Sequence, residues 1–116
     1  MNCGVLCVKR LLEEYDCHND LLLEELAEKV SDRGLSVADL MSALISHGFK
    51  AEAYKVSKPP VNYPHFGFDG RHYTLVLAEC DRHLLIYDPN LGDVRIAAWF
   101  YRFFHPRYAI MIDKEK

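Results

Sequence analysis

The hydrophobic pattern of this chain changes its period near Gly48, and this change limits the folds open to it. Before Gly48, apolar side chains recur about every three or four residues, which is typical of amphipathic helices. After Gly48, short apolar runs alternate with turn-forming residues, which indicates strands. Helices followed by strands predict an α+β domain in which the N-terminal helices pack on one face of a C-terminal antiparallel sheet.

Three helices are predicted in the first half, each with a polar residue suited to its start. The apolar periodicity covers residues 3–15, 20–30 and 37–45. Asn2, Asn19 and Ser36 are residue types that cap helix N-termini. Asp39 follows Ser36 at the spacing of a capping box. Gly48 lies where a C-cap glycine is expected, so the third helix is predicted to end just before it.

The second half is predicted to contain five strands and one short helix. The strands cover 49–56, 72–78, 83–87, 93–96 and 108–112, and the helix covers 97–104. The segment between Val56 and His72 contains Pro59-Pro60 and Pro64 and is predicted to be a loop. A turn at Asp81-Arg82 makes a hairpin of the strands on either side of it.

Length and composition fit a single domain that spans residues 1–116. Half of the residues are apolar and 27% are charged, which is ordinary for a globular protein. The formal charge of −3 argues against a nucleic-acid or anionic-membrane partner. No apolar stretch reaches the length of about 18 residues that a transmembrane segment needs. The chain also opens without the features of a secretory signal, so it is predicted to be cytoplasmic.

The four cysteines do not form a metal-binding pattern. Cys3, Cys7, Cys17 and Cys80 include no Cys-x-x-Cys pair, and no histidine lies at zinc-finger spacing from them. Without a secretory signal, a structural disulfide is disfavoured. Cys7, Cys17 and Cys80 are interpreted as buried small hydrophobic residues.

Cys3 differs from these because it lies in the first turn of a predicted helix. The helix dipole and the unpaired N–H groups at that position favour the thiolate, which is the nucleophilic form. The Cys3 N–H is also placed to donate to an oxyanion. Gly4 would let a substrate carbonyl approach the backbone closely. The alternative is a frayed N-terminal cysteine without a function.

His72 and Asp88 supply a base and an acid that match this thiol. His72 opens an apolar strand directly after a turn, as a general base facing a cleft would. Asp88 ends the next strand, and an antiparallel hairpin brings the two residues together. If each residue is considered alone, His72 is interpreted as a structural histidine and Asp88 as a residue that starts a turn. Chain order Cys–His–Asp and a shared cleft favour a catalytic triad. The remaining histidines (His18, His47, His65, His83 and His105) are interpreted as surface or capping residues.

Taken together, several motifs resemble the C39 family of cysteine peptidases, the papain-like domains that process bacteriocin leader peptides. Asn2-Cys3-Gly4 is similar to the family's Asp-Cys-Gly helix start. His72 to Leu77 is similar to its His-aromatic-x-Val-Val/Leu strand, and Asp88 to Gly92 to its Asp-Pro-x-x-Gly turn. Its middle and closing motifs are similar to 34–40, 47–51 and 97–112. The resemblance thus covers nearly the whole chain and rests on the ordered set.

The resemblance implies a papain-like cysteine peptidase that needs no metal and no cofactor. It implies cleavage after Gly-Gly, or a similar pair of small residues, in the leader of a bacterial peptide. Cys3 would attack the carbonyl, His72 would move the proton and Asp88 would orient His72. An amphipathic leader helix would lie in an apolar groove, and Phe66, Phe68 and Tyr73 are candidates for lining the cleft. A peptide-exporting ABC transporter, encoded separately, is the further partner that the family implies.

One family feature has no counterpart in the sequence. The family has an oxyanion-hole Gln a few residues before its Cys, whereas only Met1 and Asn2 precede Cys3. Three interpretations follow: further residues precede Met1, a different donor completes the hole, or catalysis is weak or absent. The last interpretation makes the chain a C39-like module that binds a peptide or partner without cutting it. Acyl transfer, or hydrolysis of another amide, is a further alternative.

Overall fold

The computed structural model describes residues 2–55, 63–104 and 108–114, which form helices and then strands, as predicted. The helices are α1 (Cys3–Glu14), α2 (Asp20–Lys29), α3 (Val37–Ser46) and α4 (Ala98–Phe104). The strands are β1 (Phe49–Lys55), β2 (His65–Phe68), β3 (Tyr73–Cys80), β4 (His83–Asp88), β5 (Gly92–Ala97) and β6 (Tyr108–Lys114). No helix in these ranges is long and apolar enough to cross a membrane.

The first three helices begin at the predicted capping residues. The side chains of Asn2, Asn19 and Ser36 each accept a hydrogen bond from a backbone N–H of the following turn, at 2.8, 3.1 and 3.1 Å. Each cap satisfies an N–H that has no partner inside its helix. Gly48 has a φ of +91°, which suits glycine, and the chain passes from α3 into β1 there.

Among the described residues, six strands form one sheet in the order β1-β6-β2-β3-β4-β5. Every neighbouring pair is antiparallel. Asp81 and Arg82 join β3 to β4 with φ values of +53° and +63°, as a two-residue type I′ turn requires. Asp88 pairs with Gly92 where β4 turns into β5. The predicted hairpin and antiparallel sheet are confirmed.

The two faces of the sheet carry separate apolar clusters. The helices α1, α2 and α3 pack on one face, where Leu11, Leu26 and Leu75 are fully buried. On the other face, Tyr101 of α4 packs against Val76 and Ile86. Leu75 and Val76 belong to different clusters because successive residues of a strand point to opposite faces. The predicted packing of the N-terminal helices on the sheet is therefore confirmed, and α4 covers part of the opposite face.

The loop prediction between Val56 and His72 is wrong for His65–Phe68, which form the inner strand β2. This strand is short and lies between prolines and a turn, but it pairs with β3 on one side and with β6 on the other. The interpretation of His65 as a surface residue is also wrong, because this histidine is only 6% exposed. Val56, Pro59-Pro60 and His105 lie outside the described residues.

The interpretation of three cysteines as buried is correct for Cys7, holds in part for Cys17 and is wrong for Cys80. Cys7 is fully buried and Cys17 packs against the same cluster while partly buried. Cys80 is exposed, because it ends β3 at the edge of the hairpin turn, beyond the part of the strand that the helices cover. All four thiols are free.

Candidate active site

Cys3 is the first residue of α1, and its sulfur lies beside the chain segment that leads into β3. Its Sγ is 4.0 Å from the carbonyl oxygen of Arg71. One helical turn further on, the Sγ of Cys7 lies 3.5 Å from the carbonyl oxygen of Tyr73. Four residues of helix and two of extended chain both advance by about 6 Å. One helical turn of α1 therefore matches two residues of the chain that leads into β3. Cys3 lies at the same height as the residues around His72.

Gly4 sets how closely α1 approaches the sheet. A Cβ at this position would lie 3.0 Å from Leu35 Cδ2, 3.1 Å from Tyr73 Cδ2 and 3.2 Å from Asn2 Oδ1. Gly4 is buried, so its missing side chain makes room for protein atoms. The expectation that it makes room for a substrate carbonyl is wrong. Its role is to bring the N-terminus of α1, and with it Cys3, against the start of β3.

His72 is held in place by a tight turn just before β3 begins. The Asp69 carboxylate accepts hydrogen bonds from the backbone N–H groups of Arg71, at 2.8 Å, and His72, at 2.7 Å. Gly70, inside the turn, has a φ of +104°. This is the Asx-turn geometry for which aspartate and glycine are favoured. The turn therefore fixes the backbone from which the imidazole projects.

The imidazole of His72 contacts Asp88 at the end of β4. Nε2 lies 3.1 Å from Asp88 Oδ1, and the two side chains are 26% and 17% exposed. The same oxygen accepts from the backbone N–H of Asn90 at 2.8 Å, so the carboxylate is fixed by its own turn. An ionised carboxylate only accepts, so Nε2 carries the proton in the neutral ring. Nδ1 then carries the lone pair, and it has no hydrogen-bond partner among the residues described.

A cleft of about 580 Å³ lies between the N-terminus of α1, the turn at Gly34 and the turn that precedes His72. The residue before Cys3 and the residue before His72 both line it, and the described residues of the lining are Asn2, Ser31, Asp32, Arg33, Gly34, Gly70 and Arg71. Gly34 is joined to Ser31 by two backbone hydrogen bonds, of 2.9 and 3.1 Å. The sequence marked Arg33-Gly34 only as a break between helices. Nothing local shows that this turn meets the one before β3.

The three aromatic residues expected to line the cleft lie beneath it. Phe66 is fully buried in the core, and Tyr73 is only 1% exposed. The Tyr73 hydroxyl donates to the carbonyl of Leu35 at 2.8 Å, and burial raises the pKa of this phenol. Phe68 is partly buried and stacks on Tyr73, with 4.2 Å between ring centroids. These side chains support the turns that carry the site, and Phe68 alone keeps some exposed surface.

The other thiol on this face of α1 is in a different environment. Burial, together with the neighbouring Cys3 and Asp88, raises the pKa of the Cys7 thiol. A thiol of this kind stays protonated and reacts slowly. No group of three or more potential metal ligands occurs in the part of the chain that the structure describes. The arrangement therefore offers one accessible thiol, one imidazole and one orienting carboxylate.

Comparison with known proteins gives a consistent result. The model of the peptidase C39 family matches residues 1–116. An uncharacterized protein of Methanothermobacter marburgensis is 25% identical over 120 residues, covering 99% of this chain and 84% of its own length. A double glycine motif protease from an AMS/PCAT transporter, solved with its leader peptide, has a similar structure. Its TM-score is 0.83 at 18% identity, over 97% of this chain and 84% of that one.

Two further solved structures share the fold. The N-terminal peptidase C39 like domain of the toxin secretion ATP-binding protein from Vibrio parahaemolyticus has a TM-score of 0.79 at 14% identity, over 99% of this chain and 98% of that one. The peptidase domain of Streptococcus ComA, a bi-functional ABC transporter involved in quorum sensing, has a TM-score of 0.76 at 19% identity. It is matched over 99% of this chain and 92% of its own. At these identities the likeness shows the fold.

Proposed function

This chain belongs to the peptidase C39 family, and we propose that it is a cysteine peptidase whose catalytic residues are Cys3, His72 and Asp88. The observation that carries the proposal is the 3.1 Å contact between His72 Nε2 and Asp88, made level with Cys3 at the N-terminus of α1. Asp88 fixes the tautomer that leaves Nδ1 as the base, which is the role of the acid in such triads.

The proposed reaction has two halves. Nδ1 of His72 takes the thiol proton while the Cys3 sulfur bonds to the carbonyl carbon, and the carbonyl electron pair moves to oxygen. When that pair returns, the C–N bond breaks, the leaving amine takes the proton from His72, and a thioester remains on Cys3. Water, deprotonated by His72, then adds to the thioester carbonyl, the C–S bond breaks and the leader leaves as a carboxylic acid, while His72 returns the proton to the Cys3 sulfur. Asp88 stabilises the imidazolium during both halves.

The proposed substrate is a bacterial peptide whose leader ends in Gly-Gly or a similar pair of small residues. The solved double glycine motif protease of this fold was captured with a leader peptide. In this chain two glycines, Gly34 and Gly70, line the cleft next to the N-terminus of α1, so part of its wall is bare backbone that a substrate with small residues can approach closely. An amphipathic leader helix supplies recognition away from the cut. Bacteriocin-type precursors and a separately encoded peptide-exporting ABC transporter are the proposed partners, and the cytoplasm is the proposed location.

The second candidate is a module of the same fold that binds such a peptide without cutting it. The contact that favours it is the one between Cys3 Sγ and the carbonyl of Arg71 at 4.0 Å. In this arrangement the sulfur faces a carbonyl acceptor, so cleavage requires the thiol to turn toward His72. A binding module requires no such movement.

The two candidates are separated by a double-glycine leader peptide and two variants. We expect the wild-type chain to release a product cut after the Gly-Gly pair, and Cys3→Ala to release none while binding the peptide with unchanged Kd. Cys17→Ala is the matched control and should cleave like the wild type, because Cys17 lies away from the cleft. Binding without any Cys3-dependent product would establish the binding module instead.

A further inference from the structure

Asn2 uses only one end of its side-chain amide to cap α1. Oδ1 accepts a hydrogen bond from the backbone N–H of Gly4 at 2.8 Å. A backbone N–H can only donate, so this contact assigns the oxygen and turns the Nδ2 donors the other way. The cap also restrains the side chain, because the bond closes a turn within the chain. The amide is therefore held in one orientation before any substrate arrives.

The Nδ2 end of Asn2 lies next to Gly34, and both residues line the cleft. Asn2 lines the cleft together with Gly34 and Arg71. A Cβ on Gly34 would lie 3.5 Å from Asn2 Nδ2, at ordinary contact distance, so a side chain at this position would cover part of the donor. Nδ2 has no hydrogen-bond acceptor among the residues that the structure describes. The side chain as a whole is only partly buried, so a ligand in the cleft can reach it.

A second donor lies one residue further along the chain. The backbone N–H of Cys3 is the first of α1, and the first N–H groups of a helix have no partner within it. It points out of the positive end of the helix dipole, which favours negative charge. An oxyanion hole needs two such donors, and these come from consecutive residues, one of them the nucleophile itself.

We propose that the side-chain amide of Asn2 donates to the oxyanion that forms when Cys3 attacks its substrate, with the Cys3 N–H as the second donor. This inference rests on the proposed function. As the sulfur–carbon bond forms, the carbonyl electron pair moves to oxygen, and the two donors hold that charge without transferring a proton. The pair then returns to carbon as the amine leaves with the proton of His72.

The main test replaces Asn2 with serine, which removes the amide N–H donors and leaves a shorter side chain whose oxygen can still cap α1. We expect kcat on a double-glycine leader peptide to fall about 10²–10³-fold with little change in KM, as for the loss of one oxyanion donor. A peptide aldehyde ending in Gly-Gly forms a tetrahedral adduct on Cys3, so its affinity should fall in parallel with kcat/KM. Alkylation of Cys3 by iodoacetamide creates no oxyanion, and its rate should stay unchanged.

Two more variants separate catalysis from helix capping. Asn2→Asp keeps a strong cap but has no amide N–H to donate, so its kcat should fall about as far as that of the serine variant while its Tm is unchanged. This variant tests the proposal even where the serine variant folds poorly. Asn19→Ser is the matched control, because Asn19 caps α2 through the same kind of bond, 3.1 Å from Leu22 N. It should leave kcat and aldehyde affinity unchanged.

The outcomes distinguish this inference from the proposed function. Equal kcat and aldehyde affinity in the wild type and both Asn2 variants would overturn the role of Asn2 while leaving the peptidase intact. An equal loss of iodoacetamide reactivity in the uncharged Asn2→Ser variant would also overturn it, because Asn2 would then act on the thiol. A wild-type chain that neither cleaves the leader nor binds the aldehyde would overturn both. A loss of kcat and aldehyde affinity with normal alkylation supports the inference.

Discussion

His72 Nε2 lies 3.1 Å from Asp88 Oδ1, across the point where β4 ends beside the start of β3. Asp88 is fixed by the N–H of Asn90, and His72 by the Asx turn at Asp69, so both partners are held by their own turns. Neither residue depends on the other for its backbone position. A substitution at Asp88 should therefore change the chemistry of His72 more than the fold.

For Asp88→Asn we expect kcat/KM on a leader peptide to fall about 10²-fold or more, because the amide cannot stabilise the imidazolium by charge. Steady-state kinetics together with thermal unfolding measure the two effects separately. Asp93→Asn is the control: Asp93 pairs with Arg10 at 3.1 Å on an exposed face. Equal losses of activity in both variants would show that Asp88 has no special role.

The rate at which each thiol is alkylated should depend on where its cysteine lies in the fold. We expect iodoacetamide to modify Cys3 fastest at neutral pH and Cys7 slowest, because Cys7 is fully buried and burial raises its pKa. Peptide mass mapping over time gives the four rates. Cys80 is exposed and away from the helices, so it reports the rate of an unassisted thiol. His72→Ala should slow Cys3 but not Cys80. If Cys80 reacts faster than Cys3 in the wild type, His72 does not assist the thiol.

Gly4→Ala should move Cys3 out of register with His72. The new Cβ would lie 3.0 Å from Leu35 Cδ2 and 3.1 Å from Tyr73 Cδ2, so overpacking costs about 1–3 kcal/mol. Urea denaturation should show a lower free energy of unfolding, and the rate of leader cleavage should fall. Leu35→Ala gives the added methyl room, so the double variant should be less destabilised than the two single effects predict. Strict additivity would contradict the close contact between α1 and Leu35.

The sequence predicted those features that depend on a few neighbouring residues. The caps at Asn2, Asn19 and Ser36 and the turn at Asp81-Arg82 each arise from residues within four positions of one another, so propensity was enough. Cys3 could be singled out because a helix start is a local signal. The contact of His72 with Asp88 was also open to prediction, since one hairpin joins them.

The features that the sequence did not reveal depend on distant parts of the chain. β2 exists because β3 and β6 pair with its two edges, so its four residues carry little signal of their own. The cleft forms where the turn at Gly34 meets the turn at Gly70. In the sequence, each turn alone indicates only a break between two elements of secondary structure. Gly4 is explained only by Leu35 and Tyr73, which reach it from other elements.

Alkaline pH should destabilise the α4 side of the molecule. Burial raises the pKa of Tyr101 from 10.0 to about 12, and a hydrogen bond with Thr74 opposes part of this shift. Stability from the neutral phenol is complete below pH 10 and is lost as the pH rises toward 12, because the unfolded chain ionises first. In urea denaturation from pH 9 to 11, the free energy of unfolding should fall less for Tyr101→Phe than for the wild type. Part of the fall that remains in this variant is due to Tyr73. An equal decline would show that Tyr101 ionises alike in both states.

The most direct test asks whether Cys3 becomes acylated by the leader. Wild-type protein is mixed with a double-glycine leader peptide, quenched with acid within one turnover, digested and analysed by mass spectrometry. We expect a thioester that joins the leader to Cys3 and ends at the second glycine, and its rate of formation should fall in Asp88→Asn. Cleaved leader without this adduct in a Cys3→Ala variant, or the absence of any adduct or product in the wild type, would contradict the assignment of Cys3 as nucleophile.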